Sequence, residues 1–283
     1  MTFWNTIPFH ISPWLIEFNS FGIRYYSLMY IFAFVSFYFL MKYRIKRECP
    51  EFSLSLPDDF LVWAVAGVLL GGRLGYVLFY DLSYYLQHPL SIILPFSFSD
   101  GIKFTGISGM SYHGGLIGVV AATILYCKKN HINIMSLADL MSPIVPLGYT
   151  FGRLGNFFNG ELYGRPTDMP WGMIFPSDPA RLLRHPSQLY EAFFEGIVLF
   201  IIMWTIRKKK WAQNRLFGFY LAGYGLIRFI IEFFRKPDEH LNFVISIFTM
   251  GQILCFMMIL TGLTILFVVN VYDRKEENTA KAM

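Results

Sequence analysis

Residues 59–80 read DFLVWAVAGVLLGGRLGYVLFY, with an aspartate at the start, one arginine inside and apolar or small residues elsewhere. An α-helix rises about 1.5 Å per residue, so a run of this length crosses the ~30 Å hydrocarbon core of a bilayer. The whole chain has the same character. Of its 283 residues 55% are hydrophobic and 15% charged, and the mean hydropathy is +0.45, whereas about a quarter of the residues of a soluble domain are charged. The composition is that of an integral membrane protein.

Runs of comparable length lie near 25–41, 113–127, 136–152, 187–206, 216–234 and 245–271, so the expected fold is all-α and polytopic: one domain over 1–283 with seven transmembrane helices. The third run is short. The fourth carries Asp139, Pro143 and Pro146, which a span tolerates when neighbours satisfy the freed backbone groups. No Ala-x-Ala-like site follows the first run, and basic residues close it instead of opening it, so it is not read as a cleaved signal peptide.

Seven spans put fourteen Lys and Arg residues on one side, in 42–47, 128–129, 207–215 and the tail, and eight on the other. The richer side is cytoplasmic by the positive-inside rule. The N-terminus is then outside, the C-terminus inside, and 81–112 and 153–186 are outer-face loops. The same bias accounts for the net charge of +5, and no nucleic acid is called for. Cys49, Cys127 and Cys255 lie away from the polar motifs; neither a disulfide framework nor metal-ligand spacing is present.

Four of the eight outer basic residues, Arg153, Arg165, Arg181 and Arg184, fall in the 153–186 connection. Positive charge on the disfavoured side points to an anionic ligand there. The connection opens with Gly152–Gly164, GRLGNFFNGELYG. Its glycines permit tight turns, and Arg153, Asn156, Asn159 and Glu161 supply donors and a carboxylate, so the stretch reads as a head-group cradle and not as part of a span. GGRLGY at 71–76 echoes GRLGN at 152–156, which a parallel repeat or close helix packing explains equally well; Arg73 is either a ligand or a salt-bridge partner.

Three further clusters carry chemistry. Ser111–Gly115, SYHGG, opens the third span. The positive end of the helix dipole disfavours imidazolium at His113 and leaves a ring nitrogen able to accept a proton. In YGLIRFIIEFFR, residues 224–235, Tyr224, Arg228, Glu232 and Arg235 are spaced 4, 4 and 3 and share one helical stripe. Ionised residues in a span are costly, so that stripe faces the protein interior, for function or for ion pairing. RHPSQLYE, 184–191, starts a helix whose free N–H groups suit an anion, and Glu191 and Glu195 are intramembrane carboxylates that can partner Arg228.

SYHGGLIG, GRLGNFFNGELYG, RHPSQLYE and YGLIRFIIEFFRKPD, in this order, together with RYYSLMY at 24–30 and GGRLGYVLFY at 71–80, closely resemble the bacterial prolipoprotein diacylglyceryl transferase family over nearly the whole chain. The resemblance implies an enzyme of the bacterial cytoplasmic (inner) membrane with its site toward the periplasmic face. Such an enzyme moves the diacylglyceryl group of phosphatidylglycerol to the thiol of the lipobox cysteine in prolipoprotein signal peptides, releases glycerol phosphate, and needs no cofactor or metal. The family's essential positions fall on Tyr26, His113, Arg153, Asn156, Glu161, Gly164, Tyr224, Arg228, Glu232 and Arg235. Two departures are Ser27, where glycine is expected, and a longer loop at 97–109.

Thioether formation needs a base for a thiol of pKa about 8.5 and stabilisation of the departing phosphate. His113 is the expected base, with assistance from an arginine or the phosphate as the alternative. Arg153 and Arg228 would hold the phosphodiester, Asn156 the glycerol head, Glu161 an arginine or the head-group hydroxyls, and Glu232 and Arg235 would orient their neighbours. Other membrane lipids surround the chain, which is expected to act as a monomer. A transporter or binder of anionic phospholipid head groups is the competing reading; it predicts polar sites near the midplane and access from both faces. An alcohol phosphotransferase would need clustered metal-binding aspartates, and Asp58–Asp59 suits a helix start better.

Overall fold

Each apolar run becomes a helix, because lipid offers no partner for a free backbone N–H or C=O. The computed structural model describes residues 2–18, 21–92, 96–97, 103–104, 109–236 and 248–282. Most of the long 97–109 loop and the first residues of the 245–271 run lie outside them.

In chain order the elements are α1 (Phe3–His10), a hairpin of β1 (Trp14–Phe18) and β2 (Phe21–Arg24), α2 (Tyr25–Arg47), α3 (Leu56–Tyr80) and α4 (Leu82–Gln87). A 3-10 turn (Pro89–Ile92), the short antiparallel pair β3 (Phe96–Ser97) and β4 (Lys103–Phe104), and α5 (Tyr112–Lys129) follow. Next come α6 (Ile134–Met141) and α7 (Val145–Phe158), then α8 (Ser187–Tyr190), which runs through a π-helical segment (Glu191–Val198) into α9 (Leu199–Ile206). The last two are α10 (Leu216–Ile231) and α11 (Met250–Ala282).

Among the described residues four helical stretches are long and apolar enough to span a bilayer: Tyr25–Arg47, Leu56–Tyr80, Ser187–Ile206 and Met250–Asp273. The α6–α7 pair, bent by 57°, makes a fifth if it is one span. The runs at 113–127 and 216–234 are helices of 18 and 16 residues. The chain divides into two compact units, Met1–Cys49 with Ala138–Met283, and Pro50–Leu137.

In the 50–137 unit, α3 begins with Pro57 in its first turn and Asp58 and Asp59 beside the positive end of its dipole. Its partner α5 is capped by Ser111, whose Oγ accepts from the Gly114 N–H at 3.2 Å. The two helices touch along Gly67, Gly71 and Gly75 on one side and Gly114, Gly118 and Ala122 on the other: a Cβ on Gly71 would lie 2.6 Å from Gly118 Cα, and one on Gly75 2.7 Å from Gly114 Cα. Small residues let backbones approach where lipid supplies no hydrophobic drive. The Gly-Gly-Arg-Leu-Gly half of the sequence echo is therefore a packing surface.

In the larger unit, the bend between α6 and α7 falls at Pro143, which has no N–H for the ladder. Arg44, 3% exposed, supplies the missing donors. Its Nη1 donates to Asp139 O at 3.0 Å and to Leu140 O, and its Nε pairs with Glu48 at 3.1 Å. Glu48 also holds Arg207 at 3.0 Å. Asp139, the acid expected inside a span, accepts from the Phe217 N–H at 2.8 Å and so caps the first turn of α10. Arg44 of α2 thus covers carbonyls at the bend, and Asp139 of the bent pair covers a free N–H of α10.

Candidate active site

Helix α7 carries the first part of the site and corrects the reading of the cradle. Gly152 and Gly155 do not begin a turn; the helix continues to Phe158, and the turn is made at Gly160, with φ of +67°. The glycine at 155 is required by packing, since a Cβ there would lie 2.9 Å from the Tyr26 ring. Helical continuity places Tyr149, Arg153 and Asn156 on one face. The Arg153 guanidinium lies over the Tyr149 ring, 4.8 Å from its centroid, and its Nη1 donates to Asn156 Oδ1 at 3.4 Å. Beyond Gly160, Glu161 Oε1 accepts from Asn156 Nδ2 at 2.8 Å and Asn159 Nδ2 at 3.3 Å, and its carbonyl accepts from Gln188 Nε2 at 2.7 Å. Tyr26 shares its hydroxyl with Tyr30 at 3.0 Å.

The π-helical segment supplies the second part. Glu191 and Glu195, both fully buried, stand one wide turn apart and face α7 and α10. Glu191 Oε2 receives Arg153 Nε at 3.0 Å, Arg228 Nη1 at 2.6 Å and the Tyr149 hydroxyl at 3.2 Å. Arg228 Nη1 also reaches Glu195 Oε1 at 3.3 Å, and its Nη2 lies 3.5 Å from Glu232 Oε2. Arg235 Nη1 meets the same Glu232 oxygen at 3.4 Å, and its Nε lies 3.5 Å from Glu191 Oε1. Glu232 accepts once more from the Thr249 hydroxyl at 3.2 Å. Tyr224 packs edge-on against Tyr149, with ring centroids 5.6 Å apart.

The 224–235 stripe thus faces inward as the spacing required, although α10 ends at Ile231 and Glu232 forms its C-cap. Three guanidiniums and three carboxylates meet here, and the guanidiniums keep 12–18% of their side-chain surface open. Removing one partner from a buried ion cluster costs about 3–5 kcal/mol, so the group must assemble as a whole.

The third part is the connection between α7 and α8. Gly164 is buried between His185 and Phe234, where a Cβ would lie 2.8 Å from His185 Cβ. Its N–H donates to His185 O at 2.8 Å, and the Arg165 N–H donates to Phe234 O at 2.9 Å. The Arg165 Nε donates to Arg235 O at 2.8 Å. The loop strand therefore fixes the backbone that bears Arg235. The loop itself is stapled by a two-pronged pair, Arg184 Nε to Asp178 Oδ2 at 2.7 Å and Nη2 to Oδ1 at 2.9 Å. The Arg184 guanidinium holds the Asp178 carboxyl below the usual range. Burial likewise pushes the His185 imidazole below its usual range.

Nine of the ten expected site residues belong to the larger unit. Tyr26, Arg153, Asn156 and Glu161 gather around α7, Tyr224, Arg228, Glu232 and Arg235 around the end of α10, and Gly164 joins the two through backbone. His113 lies in the other unit, exposed in the first turn of α5. Arg73 Nε donates to Ile92 O at 2.9 Å, Nη1 to Gly109 O at 3.3 Å and Nη2 to Ser91 O, and its guanidinium lies over Tyr85. It holds loop carbonyls. Tyr149 and Gln188 are the residues the motifs did not single out. Glu191, expected only as a partner of Arg228, is the hub of all three arginines. The missed signal was the one-turn step from Tyr149 to Arg153.

Apolar helices that enclose a cluster of arginines and carboxylates define an integral membrane protein. A family model for prolipoprotein diacylglyceryl transferase matches residues 13–268. Among curated relatives, the phosphatidylglycerol–prolipoprotein diacylglyceryl transferase of Chlorobaculum tepidum is 51% identical over 283 residues, covering 100% of this chain and 96% of its own. The proteins of the same name from Bordetella avium and Geobacter sulfurreducens are each 44% identical, over 91% and 92% of this chain and 94% and 96% of their own. The chain belongs to the prolipoprotein diacylglyceryl transferase family.

Proposed function

We propose that the Arg153–Glu191–Arg228 cluster is where this enzyme, a phosphatidylglycerol–prolipoprotein diacylglyceryl transferase, holds its lipid substrate. The family match and the names of its relatives support the activity. The observation that carries the site is the convergence of Arg153 and Arg228 on one buried carboxylate oxygen, with both guanidiniums partly open.

In this reading the lipobox thiol loses its proton to His113, and the sulfur bonds to the diacylglyceryl carbon. The carbon–oxygen bond to phosphate breaks, and its electron pair stays on the phosphate oxygen as glycerol phosphate leaves. Arg153 and Arg228 stabilise that oxygen, as fixed donors do where charge develops. Asn156 and Glu161 hold the glycerol head group, with Tyr26 beside them; Tyr224, Glu232 and Arg235 orient the arginines, and Gly164 fixes the loop against Arg235.

The same reading includes a single seven-span domain with the N-terminus outside, the site toward the periplasmic side of the inner membrane, the 81–112 and 153–186 loops on that side, and a monomer as the working unit. It is supported by the distribution of Lys and Arg and by helix within each expected run among the described residues.

The test is a reconstituted assay with purified protein, labelled phosphatidylglycerol and a lipobox peptide. Thioether product and glycerol phosphate are expected, and both are lost with a Cys→Ser peptide and with Arg153→Ala. A folded wild type that binds the lipid but transfers nothing would turn the reading toward a head-group binder. His113→Gln retaining most activity would reassign proton removal to an arginine or the phosphate.

A further inference from the structure

Glu191 reaches all three arginines of the cluster. Its Oε2 is filled by Arg153, Arg228 and the Tyr149 hydroxyl, while Oε1 and Arg235 Nε face each other at 3.5 Å with neither atom in a hydrogen bond among the described residues. Among the described residues Glu195 forms an ion pair with Arg228, and Glu232 with Arg228 and Arg235. Glu191 is held in place from outside the ion cluster too: beside it the π-helical segment presses on α7 at Gly196, where a Cβ would lie 3.0 Å from Thr150 Cα, and the Thr150 hydroxyl donates to Ala192 O at 3.4 Å.

The reaction changes the charge these arginines meet. A phosphodiester carries one negative charge. Once its bond to the diacylglyceryl carbon has broken, the phosphomonoester carries about −1.5 to −2 at pH 7. Arginines arranged to grip the substrate therefore grip the product harder, and binding that favours product raises no rate.

Resting on the transferase reading above, we infer that Glu191 is a positioning residue that also shares the three guanidiniums with the bound phosphate and, by competing for them, sets the release of glycerol phosphate. Shape and charge are separable here. Glu191→Gln keeps the side chain's size and removes its charge; Glu191→Asp keeps the charge.

The experiment measures equilibrium binding of glycerol phosphate to the purified full chain in detergent, beside the transfer assay. For Glu191→Gln the expected results are roughly tenfold tighter glycerol phosphate binding, a lower KM for phosphatidylglycerol, a lower kcat, and a first-turnover burst of thioether followed by slow turnover. Glu191→Asp keeps the wild-type affinity. The paired variant Glu191→Gln with Arg235→Gln, which removes one charge of each sign, returns toward it. If Glu191→Gln alone does not fold, adding it to Arg235→Gln must tighten binding by the same factor. A prop for the fold would instead raise KM and weaken binding, and an affinity that Glu191→Gln leaves unchanged or weaker, measured against the wild type or against Arg235→Gln alone, overturns the inference. If the wild type itself transfers nothing, the transferase reading fails, and the binding data do not rescue it.

Discussion

Arg153 Nε and Arg228 Nη1 meet on the same oxygen of Glu191, at 3.0 and 2.6 Å, although one arginine comes from α7 and the other from α10. In a medium of low dielectric two guanidiniums repel strongly; the shared carboxylate makes their proximity stable. The pair is held as a unit, so a change at either arginine disturbs the other.

Arg153→Lys keeps a positive charge but cannot span Glu191, Asn156 and the Tyr149 ring at once, as the planar guanidinium does. It should lower kcat/KM by about a hundredfold or more, the usual cost of losing a fixed donor at a developing anion. A loss of less than about threefold would mean that point charge alone suffices.

Tyr149→Phe leaves the ring under Arg153 and removes the hydroxyl that donates to Glu191. A buried hydrogen bond to a charged group contributes about 1.5–3 kcal/mol, so kcat/KM should fall by roughly ten- to a hundredfold with the fold intact. Tyr149→Leu, which also removes the aromatic face, should fall further. Equal rates for the two variants would assign the whole effect to the hydroxyl.

Gly164→Ala places a Cβ against His185 and the Phe234 carbonyl. Overpacking of this kind costs about 1–3 kcal/mol, and here it separates the loop strand from the backbone of Arg235. Thermal unfolding in detergent should move to lower temperature and the transfer rate should fall with it. An unchanged Tm would show that the loop can shift freely.

Arg44→Met removes the donors that cover the α6–α7 bend. Uncovered buried carbonyls cost about 1–3 kcal/mol each, so Tm should drop, while the rate per folded molecule stays near wild type because Arg44 lies outside the site. A selective loss of rate with unchanged Tm would contradict this.

Acid should loosen the connection between α7 and α8. Asp178 has a lower pKa folded than unfolded because Arg184 binds its ionised form. Its contribution is present above the unfolded value of about 4 and is lost as pH falls through the lower folded value. The Tm difference between wild type and Asp178→Asn should therefore be constant near neutral pH and shrink below about pH 4. A difference that grows as pH falls would reverse the assignment.

The apolar helices were legible because apolar length is a local property of the chain, although four, or five with the bent pair, of the seven expected spans are long and apolar enough to cross a membrane among the described residues. Even the bend between α6 and α7 announced itself through Pro143 and Pro146, although its partner Arg44 did not, since nothing in a basic run at the end of α2 says which member turns inward. The stripe Tyr224–Arg228–Glu232–Arg235 followed from helical spacing alone. The cradle was misjudged at Gly152 and Gly155: glycine signals a turn in water, but between helices in lipid it equally signals close packing, and only the neighbour, Tyr26, distinguishes the two.

By itself the sequence determined that the chain is an all-helical membrane protein, which motifs carry its polar residues, and which family they resemble, because length, hydropathy and i, i+4 spacing are written along one strand of chain. The tertiary structure alone decided that Glu191 is the centre of the ion cluster. Its three arginines come from positions 153, 228 and 235, and no local pattern records which buried carboxylate, on which turn of a π-helical segment, will balance them when the helices close.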